Sequence, residues 1–187
     1  ALLPLINPEN PEAALPQVQE VIEDAADLYT GEWRRRMGLK LGLAQAGAGD
    51  EGLISGFLSL LAVQEADFTR SFAALAQAAL GEDAPLDACL AATAQRAGWL
   101  AEWRKRLAEE AGGPALAVAR MEVANPVYIA RNHLVEAALA AAHTGDLAPT
   151  HRLLDALGQP YTRRTGFEAF EAPPPADFGP YTTYCGT

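Results

Sequence analysis

Helical periodicity runs through almost the whole chain, and strand patterns are nearly absent. No stretch of five or six residues alternates apolar and polar positions with enrichment in β-branched side chains. Apolar residues recur instead at steps of three and four, between breaks made by Gly and Pro. The pattern predicts an all-α fold of six or seven helices, followed by an irregular Pro-rich carboxy-terminal tail.

The breaks indicate where the helices begin and end. A first helix is predicted from Leu15 to about Leu41, with a buried stripe formed by Val18, Val21, Ile22, Ala25, Leu28, Trp33 and Met37. The later helices are predicted over Leu53–Val63, from an Asp67 N-cap to Gly81, over Leu86–Glu110, from an Asn125 cap with Pro126 in the first turn to His143, and over Pro149–Leu157.

Two parts of the chain differ in regularity. Residues 1–160 are predicted to form the helical domain, and residues 161–187 an extended tail that contains three consecutive prolines. The first six residues, ALLPLI, resemble the end of a longer helix. We therefore expect the chain to be a fragment of a larger protein, produced by truncation or processing.

Composition and charge exclude several classes of partner. The net charge of −10 would repel a phosphate backbone, so no nucleic-acid partner is expected. No run of about 18 apolar residues is present, so no membrane span is expected. Two cysteines in 187 residues do not make a disulfide scaffold, which favours the cytoplasm. Arg is far commoner than Lys, which is typical of a GC-rich bacterial genome.

Several short motifs have a plain structural interpretation. Gly47, Gly49 and Gly52 match a dinucleotide-binding spacing, but a helix precedes them and not a strand, so we predict an interhelical loop. The tripeptide at 177–179, Asp-Phe-Gly, lacks the upstream Lys and the catalytic loop of a kinase. His133, His143 and His151 match no zinc spacing, so no metal site is predicted.

The tryptophans and cysteines allow more than one structural or functional interpretation. Trp99 and Trp103, one turn apart beside the basic residues 104–106, form either an interaction stripe or, more often at this spacing, part of a core with solvated basic neighbours. Cys89 is predicted to be a buried, inert thiol on a helix. Cys185, near the end of a polar segment, is expected to be accessible to oxidants or to a partner cysteine.

One stretch is similar to a known family. Residues 121–161 resemble the carboxy-terminal region of the selenoprotein O family, protein adenylyltransferases with a kinase-like fold. The motif residues that carry the resemblance are Met121, Asn125, Pro126, Tyr128, Arg131, Asn132, Gly145, Asp146, Leu153, Leu154, Leu157, Pro160 and Tyr161. Residues 34–43 and 65–72 also match, and the Asp-Phe-Gly and Cys-Gly-Thr of the tail resemble the family's tail and terminal redox position.

The resemblance implies a function for the parent protein. Members transfer AMP from ATP, with magnesium, onto Ser, Thr or Tyr hydroxyls of protein substrates. The family's nucleotide and metal ligands lie upstream, so no catalytic, cofactor-binding or metal residue is assigned to this chain, and alone it is expected to bind neither ATP nor Mg²⁺. The implied partners are the amino-terminal kinase-like lobes of the same protein.

The resemblance implies roles for two sets of residues within the chain. Asn125, Pro126, Tyr128, Arg131 and Asn132 are expected to be mainly architectural, with a direct role in nucleotide binding as the alternative. Cys185 is the redox candidate. Two other interpretations of the chain stay open. One is a stand-alone helical interaction module, and the other is a structural fragment that dimerises through an exposed apolar face.

Overall fold

The chain is a series of helices joined by turns, and the computed structural model describes residues 3–179 and residue 181. Within those residues there are seven helices of 11 residues or more, two helices of four residues and no strand. The helices are α1 (Leu3–Ile6), α2 (Leu15–Lys40), α3 (Glu51–Val63), α4 (Phe68–Ala78), α5 (Ala84–Asp87), α6 (Ala94–Ala108), α7 (Gly113–Ala124), α8 (Asn132–His143) and α9 (Ala148–Gly158). The all-α prediction is confirmed.

The hydrophobic core lies where the end of α2 meets α3, α4, α6 and α7. A row of aromatic rings crosses it: Phe72 contacts Phe57, Phe57 stacks on Trp99, and Trp99 stacks on Trp103, with centroids 4.9, 4.6 and 5.4 Å apart. Ring pairs at these separations stabilise a core beyond their buried area. The core interpretation of the two tryptophans is therefore confirmed.

Each tryptophan also satisfies a backbone carbonyl. Trp103 Nε1 donates to Leu41 O and Trp99 Nε1 donates to Leu53 O, both at 2.9 Å. Of the neighbouring basic residues, Lys105 is exposed as expected, whereas Arg104 is half-buried and donates to Ala78 O at 2.8 Å. The indole N–H groups thus fix α6 against the end of α2 and the start of α3.

The loop between α2 and α3 is held by a partly buried ion-pair cluster. Asp50 accepts from Gly47 N at 2.9 Å and pairs with Arg106 at 2.7 Å. Arg106 also pairs with Glu110, which pairs in turn with Arg120 at 3.0 Å. The Gly-rich segment is therefore an interhelical loop, as predicted, and its carboxylate is engaged by α6.

The helix predicted over Leu86–Glu110 is interrupted, which corrects that prediction. Helix α5 ends at Asp87, and α6 begins only after Thr93, whose hydroxyl accepts from Arg96 N at 3.1 Å. The buried Arg96 guanidinium donates to Leu90 O and to Asp87 across the break. The Arg96 guanidinium, six and nine residues from its two partners, thus bridges a break where periodicity alone predicted continuous helical hydrogen bonds.

The sequence predictions also fail around Asn125, in two ways. They omit helix α7 (Gly113–Ala124), although Pro114 lies in its first turn. Asn125 ends that helix in an extended conformation, with φ −113° and ψ 101°, and does not cap a new one. The residue before a proline is disfavoured in the α region, which fits the conformation of Asn125, and the segment that follows is non-helical until α8 begins at Asn132.

The predicted buried stripe of the first helix is also largely wrong. Met37 is buried, but every residue from 19 to 33 is exposed, including Val21, Ile22 and Leu28. The amphipathic pattern is real, but nothing in the described part of the chain covers the apolar side. None of the described helices is both long and apolar enough to cross a bilayer.

Candidate functional site

Most of the family-motif residues at 125–132 lie in a non-helical segment, residues 125–131, between α7 and α8. We call it the motif segment. Its backbone is bonded to the end of α9, because Val127 N and Tyr128 N both donate to Pro160 O, at 2.8 and 3.1 Å. The segment therefore holds the last two long helices against the core, and it connects the helical part to the first residues of the tail.

Asn125 is the most buried polar residue of the segment, with 3% of its surface exposed. Its Nδ2 donates to Lys40 O at 2.9 Å and to Phe72 O at 3.2 Å. One side-chain amide thus joins the carboxy-terminal end of α2, the middle of α4 and the end of α7. Because a buried amide without partners is costly, this arrangement selects Asn at the position.

Lys40 completes the same junction. Its Nζ donates to Ala124 O at 3.0 Å and to Asn125 Oδ1 at 3.3 Å, and it lies 5.9 Å and 5.6 Å from the ring centroids of Phe68 and Phe72. Burial lowers the pKa of Lys40 from its usual value. The ammonium lies where the dipole of α7 is negative, which favours its charged form. Sequence reasoning missed this role, although Lys40 lies in the matching stretch at 34–43.

Tyr128 anchors the tail. Its ring is buried, and its hydroxyl accepts from Arg164 N at 2.7 Å. The Arg164 guanidinium lies 3.9 Å from the centroid of Phe167 and also pairs with Asp155 on α9 at 2.8 Å. These contacts bring the beginning of the tail onto the motif segment.

Arg131 joins a second pair of distant segments. Its guanidinium donates to Asp67 Oδ2 at 2.7 Å and to Glu171 O in the tail at 3.1 Å. Asp67 is also the N-cap of α4, since its Oδ1 accepts from Arg70 N at 2.9 Å, as predicted. Burial raises the pKa of Asp67, but the hydrogen bonds from Arg131 and Arg70 outweigh it and hold that pKa below its usual value.

The last described tail residues lie on α8. Phe178, within the Asp-Phe-Gly tripeptide, contacts the His133 ring at a centroid distance of 5.8 Å and stacks on Tyr181 at the same distance. The Tyr181 hydroxyl donates to Glu136 at 2.7 Å. Burial, and then the charge of Arg131, lower the pKa of His133. His133 and Glu136 therefore contact the tail, and Cys185 lies outside the described residues.

The remaining site candidates are not gathered with the motif segment. Asn132 is exposed and begins α8, whereas Asn125, Tyr128 and Arg131 of the same motif are buried. Cys89 is half-buried in the turn after α5, and not on a long helix as predicted. Burial raises the pKa of its thiol, which disfavours the reactive thiolate. Within residues 3–179 and 181, no three His, Cys, Asp or Glu side chains come together as a metal site would require.

Chemically, the motif segment holds the fold together. Its residues Asn125, Tyr128 and Arg131 each bond to backbone or carboxylate groups of other segments. Lys40 of α2 bonds in turn to the end of α7 and to Asn125. A cleft of about 410 Å³ adjoins it, between α4, α7 and the start of the tail. Arg163 borders that cleft, but its guanidinium is paired with Glu171 at 2.9 Å.

The charge of Asp67 is expected to control the acid stability of this junction. Asp67→Asn keeps the N-cap and removes the charge that pairs with Arg131, so the free energy of unfolding at pH 7 should fall by about 1 kcal/mol, since solvent partly screens the half-buried carboxylate. Because the folded pKa of Asp67 is depressed, its contribution is full above the unfolded pKa of about 4 and is lost as the pH falls through the folded pKa.

Urea unfolding from pH 2 to pH 7 measures this difference. The deficit of the variant should shrink below about pH 4. Asp24→Asn, on the exposed part of α2, is the matched control and should change stability by no more than about 0.5 kcal/mol. A deficit that stays constant over the whole pH range would contradict the ion-pair interpretation.

Comparison with known proteins identifies the family of this chain. Residues 2–158 match the family model described as protein adenylyltransferase SelO. A protein nucleotidyltransferase YdiU of Cereibacter sphaeroides is 46% identical over all of this chain, which covers 37% of that relative. Proteins of the same name from Sphingopyxis alaskensis and Geobacillus kaustophilus are each 40% identical, and the chain covers 38% of each. It therefore spans less than two-fifths of the length of these curated relatives, and it belongs to the SelO protein adenylyltransferase family.

Proposed function

We propose that these residues are the carboxy-terminal helical part of a protein adenylyltransferase, which transfers AMP from ATP to Ser, Thr or Tyr hydroxyls of other proteins. The observation that carries the proposal is the family match over residues 2–158, together with relatives named protein nucleotidyltransferase. The chain covers 37% of such a relative, so most of that relative's residues lie beyond the region of similarity.

The proposed role of this part is to support a catalytic core. ATP and Mg²⁺ would be bound by kinase-like lobes located upstream, which are the proposed partners of the helices. The polar side chains of the motif segment are engaged with the fold itself, as described for Asn125 and Arg131. That engagement supports an architectural role for the motif, with protein substrates recognised by the complete enzyme.

Cys185 is the proposed redox element. In the intact enzyme its thiol would form a disulfide with a cysteine of the catalytic lobes, with an oxidant accepting the two electrons and both protons released. Cys89 is a poor alternative partner, because burial raises the pKa of its thiol. The small number of cysteines supports a reducing compartment, and we place the protein in the bacterial cytoplasm.

A stand-alone helical interaction module is the second candidate. The exposed apolar residues of α2 favour it, since such a surface binds a partner whether or not the partner is on the same chain. The two candidates differ in one expectation: only the adenylyltransferase proposal requires that AMP transfer depend on the presence of these helices.

The isolated chain is expected to neither bind ATP nor transfer AMP. Titration calorimetry of residues 1–187 with ATP and Mg²⁺ should give no binding heat at micromolar concentrations, whereas the complete protein should bind and label a protein substrate with radioactive AMP. Magnesium-dependent micromolar ATP binding by residues 1–187 would overturn the proposed division of labour.

Replacing the tail thiol is expected to remove redox control. Cys185→Ser in the complete enzyme should give the same rate of AMP transfer under oxidising and reducing conditions. Cys89→Ser is the matched control and should respond to oxidation as the unsubstituted enzyme does. If Cys185→Ser also kept the unsubstituted response, the redox role would be wrong.

A further inference from the structure

The amino-terminal two-thirds of α2 is an unsupported helical arm. Every residue from 19 to 33 is exposed, a length of about 22 Å at 1.5 Å per residue. Val18 near the start of the helix is half-buried, and the helix becomes buried only near its end, at Met37 and Gly38. An isolated helix of this length is marginal in water, so its stability requires tertiary contacts.

One side of the arm is apolar. Val21, Ile22, Leu28 and Tyr29 are 61%, 63%, 74% and 72% exposed, and Trp33 follows one turn later. Their spacing of one, seven and eight residues places them on a single face of the helix. Monomeric proteins seldom leave a contiguous apolar surface of this kind uncovered. The face is therefore suited to burial in a groove.

The other side of the arm is acidic. Glu20, Glu23, Asp24 and Asp27 lie there, and residues 1–33 contain no Lys, Arg or His. If two copies paired in parallel through this face, the carboxylates bordering one face would meet those of the other. In an antiparallel pair these carboxylates would approach the arginines at 34–36 of the other copy. Those arginines are already engaged, because Arg34 pairs with Glu51 and both Arg35 and Arg36 pair with Glu32. Like charges placed opposite each other oppose association. The charge pattern therefore favours a basic partner over a second copy.

We propose that the apolar face of α2 docks into an apolar groove bordered by Lys or Arg in the part of the same protein that lies beyond these residues. This inference rests on the proposed function, because it assigns the groove to the catalytic part of the enzyme. The relatives indicate where this groove is to be sought, because the matched region covers only 37% to 38% of their length and the rest of their chain lies outside it. Docking of this kind weakens as salt screens the flanking charges.

A differential stability measurement tests the docking. The double variant Ile22→Asp, Leu28→Asp should lower the melting temperature of the complete protein by about 5 °C or more, because it places charges in the buried groove. In the isolated 187 residues the same change should shift the melting temperature by no more than about 1 °C, because both side chains are exposed there.

Thr30→Asp is the control for an added carboxylate, because it places one negative charge, against two in the double variant, on the polar side of the same exposed arm. It should change the melting temperature of the complete protein and of the isolated 187 residues by no more than about 1 °C. Equal effects of the double variant in the complete and isolated proteins would overturn the proposal.

Photo-crosslinking identifies the occupant. Benzoylphenylalanine replacing Tyr29 in the complete protein should form an intramolecular crosslink to a segment outside the 187 residues that is flanked by Lys or Arg, in lower yield at 1 M salt. A crosslink between two copies, a crosslink to a different protein, or no crosslink would each overturn the inference.

Assaying AMP transfer on the same preparations separates the two proposals. AMP transfer without the intramolecular crosslink would overturn the docking inference and leave the proposed function standing. The crosslink without AMP transfer would support the docking surface and overturn the proposed activity.

Discussion

The side-chain amide of Asn125 is the interaction on which the arrangement of the carboxy-terminal half depends. Its two hydrogen bonds connect α2 and α4 at the point where α7 ends, where only 3% of the surface of Asn125 is exposed. In a low-dielectric interior such bonds are strong when made and costly when lost. Because Asn125 is held there, the chain leaves α7 extended, and Tyr128 and Arg131 reach the tail and the cap of α4.

Local sequence patterns predicted the features that depend on local physics. The all-α class, the Asp67 cap and helix α9 follow from periodicity and capping, and the Trp99–Trp103 pair is core, as its spacing indicates. The failures arise where distant groups override local preference. Asn125–Pro126 has the composition of a helix start, but its amide bonds acceptors 53 and 85 residues away. No local pattern contains those partners.

The prediction that the apolar stripe of α2 is buried failed for a different reason. The amphipathic pattern of α2 correctly indicates a helix with one apolar side, and the prediction of burial assumed that the covering surface lay in this chain. The family relationship offers a physical resolution, because the chain corresponds to 37% of a longer relative. The motif segment on one side and the arm on the other then have distinct proposed tasks: the first fixes the helices to one another, and the second attaches them to the catalytic part.

Equilibrium unfolding of Asn125→Ala, compared with Asn132→Ala, tests the central role of the buried amide most directly. Both substitutions remove the same amide from the same motif, but only Asn125 is buried and bonded to α2 and α4. The free energy of unfolding should fall by about 2–3 kcal/mol for Asn125→Ala and by no more than about 0.5 kcal/mol for Asn132→Ala. Equal losses for the two variants would contradict the account.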